Sequence, residues 1–172
     1  MKRVVILGRG GAGKSTFARK LGERTGLPVI ELDKYFWQPA LVPTPRAQWT
    51  EIQRKLAHQE RWIMDGDLGK YDELGVRLQA ADTVLILDFP LLLCLMRAMR
   101  RSKERMDFWW WLVTWRLIER PKLKRIVAQY AERAEVRVFS SPGQLVRYLS
   151  SVDAHSYDVI ASSMFERPID PI

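Results

Sequence analysis

Four apolar residues, Val4–Leu7, run directly into Gly8, Arg9, Gly10, Gly11, Ala12, Gly13, Lys14 and Ser15, and a helical pattern starts at once on the far side. No other stretch limits the fold as tightly. A short, wholly apolar run ending on glycine suits a strand buried on both faces of a parallel sheet. Lys14–Thr25 carries Phe17, Ala18 and Leu21 at helical spacing, with Gly26 as its stop. The residues between fit G-x-x-x-x-G-K-[ST], and strand before, helix after is the setting in which that pattern works. Glycines let backbone N–H groups turn inward around a phosphate, and the helix behind adds unpaired donors and a partial positive charge. Lys14 is placed to reach the β- and γ-phosphates of a nucleoside triphosphate and Ser15 to bind Mg²⁺. Gly8 to Ser15, with Thr16, is therefore the expected segment for ATP and its metal. A glycine-rich turn with a chance Lys-Ser is the plain alternative.

Beyond the loop, strand and helix patterns alternate. Pro28–Leu32 reads as a second strand and Tyr35–Pro43 as an aromatic, proline-rich loop. Thr44 and Pro45 look like an N-cap and first position of a helix reaching about Gln59, with Trp49, Ile52 and Leu56 inward. Arg61–Asp65 is a third strand, Tyr71–Ala81 a short helix or turn, and Thr83–Leu87 a fourth strand. Leu91–Met106, Phe108–Glu119 and Pro121–Arg133 are helical, Val136–Phe139 is a fifth strand, and Pro142–Ser151 a last helix. The alternation predicts one three-layer α/β/α domain over residues 1–151 with a five-stranded, mainly parallel sheet, and a tail over 152–172 of no clear pattern.

Composition narrows the function classes. At 172 residues and 47% hydrophobic, the chain has one domain's length and core without needing staples. A single cysteine, Cys94, excludes an internal disulfide and a Cys-rich zinc site, and His58 and His155 alone make a His-based metal site improbable. The longest apolar runs fall far short of the about 18 residues a membrane span needs, and the first run is too short for a signal peptide. The expectation is a cytoplasmic protein with no membrane partner.

Acids close three further strands. Asp88 ends Thr83–Leu87 as the second acid of many nucleotide-hydrolysing folds does, and could hold Mg²⁺ or only cap the helix after Pro90. Asp33 and Asp65, the latter followed by Gly66, end the second and third strands. Ligands of open parallel sheets bind outside the carboxyl ends of the strands. Asp33 is therefore a candidate base for an acceptor hydroxyl, or a simple turn residue. Asp65 and Gly66 are candidates for acceptor contact. Arg46, at the opening of a helix, could clamp an anionic acceptor or lie solvated.

Taken together, GRGGAGKST, ELDKYFWQP, TPRAQW, RWIMDGDLG and VRLQAADTVLILDFP resemble the small P-loop kinase-like proteins related to adenylate kinase, often labelled FlaR-like or "DNA topology modulation" proteins. The resemblance covers most of residues 2–149. It implies the nucleoside-kinase type of P-loop fold with sheet order 2-3-1-4-5, and ATP-dependent phosphoryl transfer to a small acceptor. Lys14 and Ser15 would bind triphosphate and Mg²⁺. Asp33, Arg46, Asp65, Gly66 and Arg77 would face the acceptor, and Ser140, Ser141, Pro142 and Gly143 would lie near the nucleotide base. Two departures stand out. Relatives usually carry Asn where this chain has Asp67, and the added charge disfavours a phosphorylated acceptor. Relatives also have a longer basic lid than Ser102–Asp107 supplies.

The net charge is +8. Residues 97–137 hold twelve Lys and Arg against five Asp and Glu, so +7 of it sits in this one segment. Arg97, Arg101 and Arg105 are spaced to share one helix face, and with Arg120 they are the candidates for clamping a transferring phosphoryl group; a solvated basic face is the alternative. The same segment contains Trp109, Trp110, Trp111 and Trp115, which cannot all face inward on one helix. Trp111 and Trp115 make the expected buried pair, and the rest suit packing under a lid over about 97–120 or a homodimer contact. Nucleic-acid stacking is the less favoured partner reading. The leading expectation is an ATP-dependent phosphotransferase. The alternatives are a nucleic-acid-binding regulatory ATPase and a nucleotide-binding module without efficient transfer.

Overall fold

Arg3–Gly8 forms β1, buried from its second residue onward. It is the centre of a parallel sheet. β5 (Trp62–Asp65) pairs with it on one side and β6 (Thr83–Leu87) on the other. β2 (Val29–Glu31) lies outside β5, and β7 (Glu135–Phe139) outside β6. The strand order is β2-β5-β1-β6-β7. Two-residue strands β3 (Trp37–Gln38) and β4 (Val42–Pro43) form a separate antiparallel pair. Without that pair, the numbering along the chain is the expected 2-3-1-4-5. The computed structural model describes residues 1–68, 72–100 and 106–152.

Strand alternation sends β1 to both faces at once. Val5 and Leu7 join Met64, Val84 and Ile86 on one side. That side is covered by Trp49 of α3 (Arg46–Ala57), Leu78 of α4 (Leu74–Ala80), Trp115, and Leu123 and Val127 of α7 (Glu119–Tyr130). Val4 and Ile6 join Ile63, Leu85 and Leu87 on the other. There they meet Phe17 and Leu21 of α1 (Lys14–Thr25), Cys94 of α5 (Leu91–Met99), Leu112 of α6 (Met106–Thr114) and Leu145 of the helix over 142–152. The result is the three-layer α/β/α arrangement.

Three local readings change. Leu32 does not end a strand but opens the short α2 (Leu32–Phe36), which carries Asp33 in its first turn. Leu32 is fully buried there, so tertiary packing decides. Thr44 does not cap α3; its hydroxyl donates to the Phe36 carbonyl at 2.5 Å, tying the chain entering α3 back to α2, and Pro45 takes the cap position. The expected helix over Phe108–Glu119 breaks after Thr114. The N–H groups of Glu119 and Arg120 both donate to the Trp115 carbonyl, so α7 starts two residues before Pro121. This sets Pro121 in the first turn, where its missing N–H costs nothing.

Among the described residues no helix is long and apolar enough to cross a membrane. Arg101, Arg105 and the tail over 153–172 lie outside the described residues, as does the side chain of Trp111.

Candidate functional site

The glycine loop leaves the carboxyl end of β1 and enters α1. Gly8, Gly11 and Gly13 all take positive φ, at 136°, 74° and 92°. Gly11 shows why the residue type matters. A Cβ there would stand 2.4 Å from the Cys94 carbonyl oxygen, so the loop lies directly on the backbone of α5. Lys14 Nζ donates to the carbonyls of Gly8 (2.6 Å) and Arg9 (3.3 Å), folded over the loop it serves. Gly10 is half-buried, Ala12 buried, and Ser15 and Thr16 are exposed at the first turn of α1.

Arg9 departs furthest from a bare phosphate cradle. Its side chain is buried to 1% exposure behind the loop, with the guanidinium 5.2 Å from the Trp115 ring centroid. Its Nε and one Nη have no hydrogen-bond partner. Burial pushes the guanidinium pKa below its usual value; nearby Arg116 adds to that, while Cys94 and Asp88 oppose it. Burial likewise raises the Cys94 thiol.

The carboxylates at the strand ends divide between two places. In register, Asp65 sits beside Ile6 of β1 and beside Glu31 of β2. It is buried, and its Oδ1 lacks a partner. Burial pushes its carboxyl above the usual range; a hydrogen bond from Ser15 and the Lys14 charge pull it back, and Asp33 and Glu31 push it further up. Ser15, Lys14 and Asp33 therefore lie within electrostatic reach of Asp65. Asp88 is elsewhere. Its backbone N–H donates to Phe139, and its carboxylate meets Arg120 Nε at 2.7 Å and Arg116 Nε at 3.6 Å. Asp65 thus interacts with Ser15, while Asp88, expected to hold the metal, pairs with arginines from the α6–α7 junction and, like Asp65, keeps a buried Oδ1 without a hydrogen-bond partner.

The expected acceptor arginines are also differently placed. Arg77 is completely buried. It grips Asp72 through both Nη atoms (2.8 and 2.7 Å), donates to Gln53 Oε1 (3.2 Å), and donates to the Gly66 carbonyl at 2.7 Å. It is a positioning residue for the turn after β5, not a surface that a substrate meets. Arg46 is exposed, and its Nε donates to Glu73. Arg97 donates from Nη1 to the Ala12 carbonyl at 3.1 Å and lies over the Phe89 ring, so it braces the loop from α5.

Ser141, Pro142 and Gly143 follow β7, two strands from β1, where the next helix begins. Gln144 Oε1 accepts from the Ser140 N–H at 2.7 Å, and nothing crowds Gly143 within 4 Å. Sequence reasoning missed the paired acids Asp72 and Glu73, the inward turn of Arg9, and Arg116 at Asp88. An arginine among loop glycines was the one visible signal.

No family profile matches the chain. An adenylate kinase from Mycobacterium leprae (strain Br4923) is 35% identical over 111 residues, 60% of this chain and 56% of that protein. The chain spans a little over half the length of the curated relatives it matches. A shikimate kinase from Acinetobacter baumannii in complex with shikimate superposes with a TM-score of 0.65 at 17% identity, over 95% of this chain and 94% of that one. The chain has the fold of that shikimate kinase. A sugar kinase from Janibacter sp. HTCC2649 aligns with a TM-score of 0.53 at 21% identity, over 89% and 95% of the two chains. Both solved structures share the overall fold with this chain.

Proposed function

We propose that the chain is an ATP-dependent phosphotransferase acting on a small acceptor. The observation that carries this reading is the glycine loop between β1 and α1, with Gly8, Gly11 and Gly13 at positive φ, Lys14 folded over it, and Asp65 within electrostatic reach of Lys14 and Ser15. The relatedness to adenylate kinase and the fold of shikimate and sugar kinases support it. The FlaR-like resemblance agrees with it and leaves the acceptor open.

In this reading the backbone N–H groups of Gly8 to Ser15, with Thr16, hold the phosphates of ATP, and Lys14 leaves the loop carbonyls for the β- and γ-phosphates. The site suits Mg²⁺. The donors are oxygens only, one of them the partnerless Asp65 Oδ1, and Mg²⁺ takes one or two carboxylates plus phosphate oxygens. Ser15 and Asp65 would hold it, and when bound it would neutralise charge on the β- and γ-phosphates. Asp33 stands on the first turn of α2, free of the sheet, and orients the acceptor hydroxyl and takes its proton. The bond from the γ-phosphorus to the β,γ-bridging oxygen breaks, a bond to the acceptor oxygen forms, and ADP leaves. In the same reading the turn over Ser141, Pro142 and Gly143 would take the nucleotide base.

The test is ADP formation across an acceptor panel with Lys14→Ala as control. Acceptor-dependent ADP release that the variant abolishes supports the reading; ATP binding with no transfer to any acceptor overturns it. A second reading, a nucleic-acid-binding regulatory ATPase, has one observation in its favour: Trp110 is 72% exposed within the +7 segment. It predicts DNA or RNA binding that weakens steeply with salt, and absence of binding at low salt removes it.

A further inference from the structure

β1 and β6 end side by side. Gly8 and Leu87 are register partners at their last residues, so Arg9 and Asp88 are the first residues past the sheet on neighbouring strands. Both side chains are buried, and both are short of hydrogen bonds. Arg9 Nε and Nη1 have no acceptor, and Asp88 Oδ1 has no donor, since Arg116 Nε stops 3.6 Å away. Unpaired donors and an unpaired carboxylate oxygen are each costly to leave in the interior, and here the two kinds complement one another. Burial pushes the Arg9 pKa down while the Asp88 charge pulls it back, so the two groups already feel each other.

What holds Asp88 instead is a pair of arginines from the turn between α6 and α7. Arg120 Nε meets Oδ2 at 2.7 Å. Arg116 is exposed and Arg120 partly so, whereas the Arg9 guanidinium is buried against the Trp115 ring. Trp115 belongs to the same turn, and its carbonyl takes the N–H groups of Glu119 and Arg120. The turn that supplies the present partners of Asp88 therefore also carries the ring on which the alternative partner rests.

A bound nucleotide competes for the outer arginines. Arg9 is a residue of the glycine loop, and Asp88 lies one strand away, so Arg116 and Arg120 stand beside the place the phosphates would take. A phosphate attracts a guanidinium by the same charge-assisted hydrogen bonds as a carboxylate. Arginines drawn to it leave Asp88 behind, and an uncompensated buried carboxylate is strongly destabilising. The free N–H groups of Arg9 remove that penalty.

Resting on the phosphotransferase reading, we infer that Arg9 is a positioning residue that takes over Asp88 when the phosphates of ATP draw Arg116 and Arg120 away. One carboxylate thus has two alternative sets of partners, the outer arginines in the empty protein and the inner arginine in the loaded one. Arg9 touches no phosphate with its side chain; it acts through Asp88.

The experiment measures binding of magnesium adenylyl-imidodiphosphate, a non-hydrolysable ATP analogue, by titration calorimetry. Arg9→Met keeps an apolar stem and removes the charge. Its affinity for the analogue should fall by about tenfold or more, because the outer arginines cannot leave Asp88 without stranding it. On an Asp88→Asn background no carboxylate needs a partner, and the same Arg9→Met change should cost less than about threefold. Losses of equal size on both backgrounds, or no loss on either, overturn the inference. NMR of the arginine Nε–H groups reads the exchange in the wild-type protein, with the Arg9 signal assigned by its loss in Arg9→Lys. Saturation with the analogue should move the Arg9 Nε–H proton downfield, as a new charge-assisted hydrogen bond does. A signal that stays in place overturns the inference. Wild-type protein that binds no analogue overturns the phosphotransferase reading as well, whereas binding without the Arg9–Asp88 coupling overturns the inference alone.

Discussion

Asp88 Oδ2 lies 2.7 Å from Arg120 Nε, across the gap between the end of β6 and the first turn of α7. The carboxylate is almost wholly buried, so the pair is the main way its charge is satisfied, with Arg116 a weaker neighbour at 3.6 Å. The contact joins the sheet to the segment that carries most of the chain's net positive charge.

Removing one side of that pair strands the other. Arg120→Gln should lower unfolding free energy by about 1–3 kcal/mol, the cost of an under-satisfied buried charge. Asp88→Asn together with Arg120→Gln should cost less than the two changes summed. Urea denaturation of the four proteins in a double-mutant cycle measures this, and additive losses would show that the pair contributes nothing.

The Gly11 contact predicts a clean backbone effect. Gly11→Ala places a Cβ against the Cys94 carbonyl at 2.4 Å, at a φ of 74°. The obstacle is backbone and cannot swing away, so α5 must shift. The variant should lose about 1–3 kcal/mol and bind ATP more weakly. Thermal unfolding and calorimetry check the two effects, and unchanged values for both would contradict the loop geometry.

Arg77 is expected to matter for the fold more than for catalysis. Arg77→Met deletes four hydrogen bonds and leaves Asp72 buried without its partner, so the loss should be about 3–5 kcal/mol. Arg77→Lys should recover part of it, since an ammonium replaces the charge and not the bidentate fork. A wild-type unfolding midpoint for Arg77→Met would overturn this role.

Much of this was readable in the chain. The glycine loop, its strand and helix, and the sheet order follow from local patterns that packing does not override. The pairing of carboxylates was not readable. Asp65 and Asp88 both end strands flanking β1, and nothing local says which of them turns toward Ser15. That depends on Arg116 and Arg120, which reach Asp88 only because the chain breaks after Thr114. Arg77 looked like a ligand-binding arginine because its partner Asp72 is five residues away, on the turn before its own helix. The inward turn of Arg9 rests on Trp115, more than a hundred residues on.

Asp82 makes acid stability testable. Its Oδ2 accepts from the backbone N–H groups of Lys2 (2.6 Å) and Arg3 (2.9 Å), and its Oδ1 from the Thr83 hydroxyl (2.6 Å). Burial alone would raise its pKa, but these bonds outweigh burial and hold the carboxyl below its usual range. A carboxylate depressed in the folded state adds stability above its unfolded pKa, about 3.9. That stability is lost as pH falls through the folded value. Asp82→Asn should therefore be less stable than wild type at pH 7, with the gap closing in the acid range. Urea unfolding at the two pH values measures it, and a gap that widens in acid would contradict the sign.

The most direct test of the central claim follows the γ-phosphoryl group itself. Protein is incubated with γ-labelled Mg·ATP and cytidine, adenosine or glucosamine, and the label is traced by chromatography. The account predicts label on at least one of these hydroxyl compounds, ADP in equal amount, and loss of both in Lys14→Ala. Label found only in inorganic phosphate, at a rate that no acceptor changes, would contradict it.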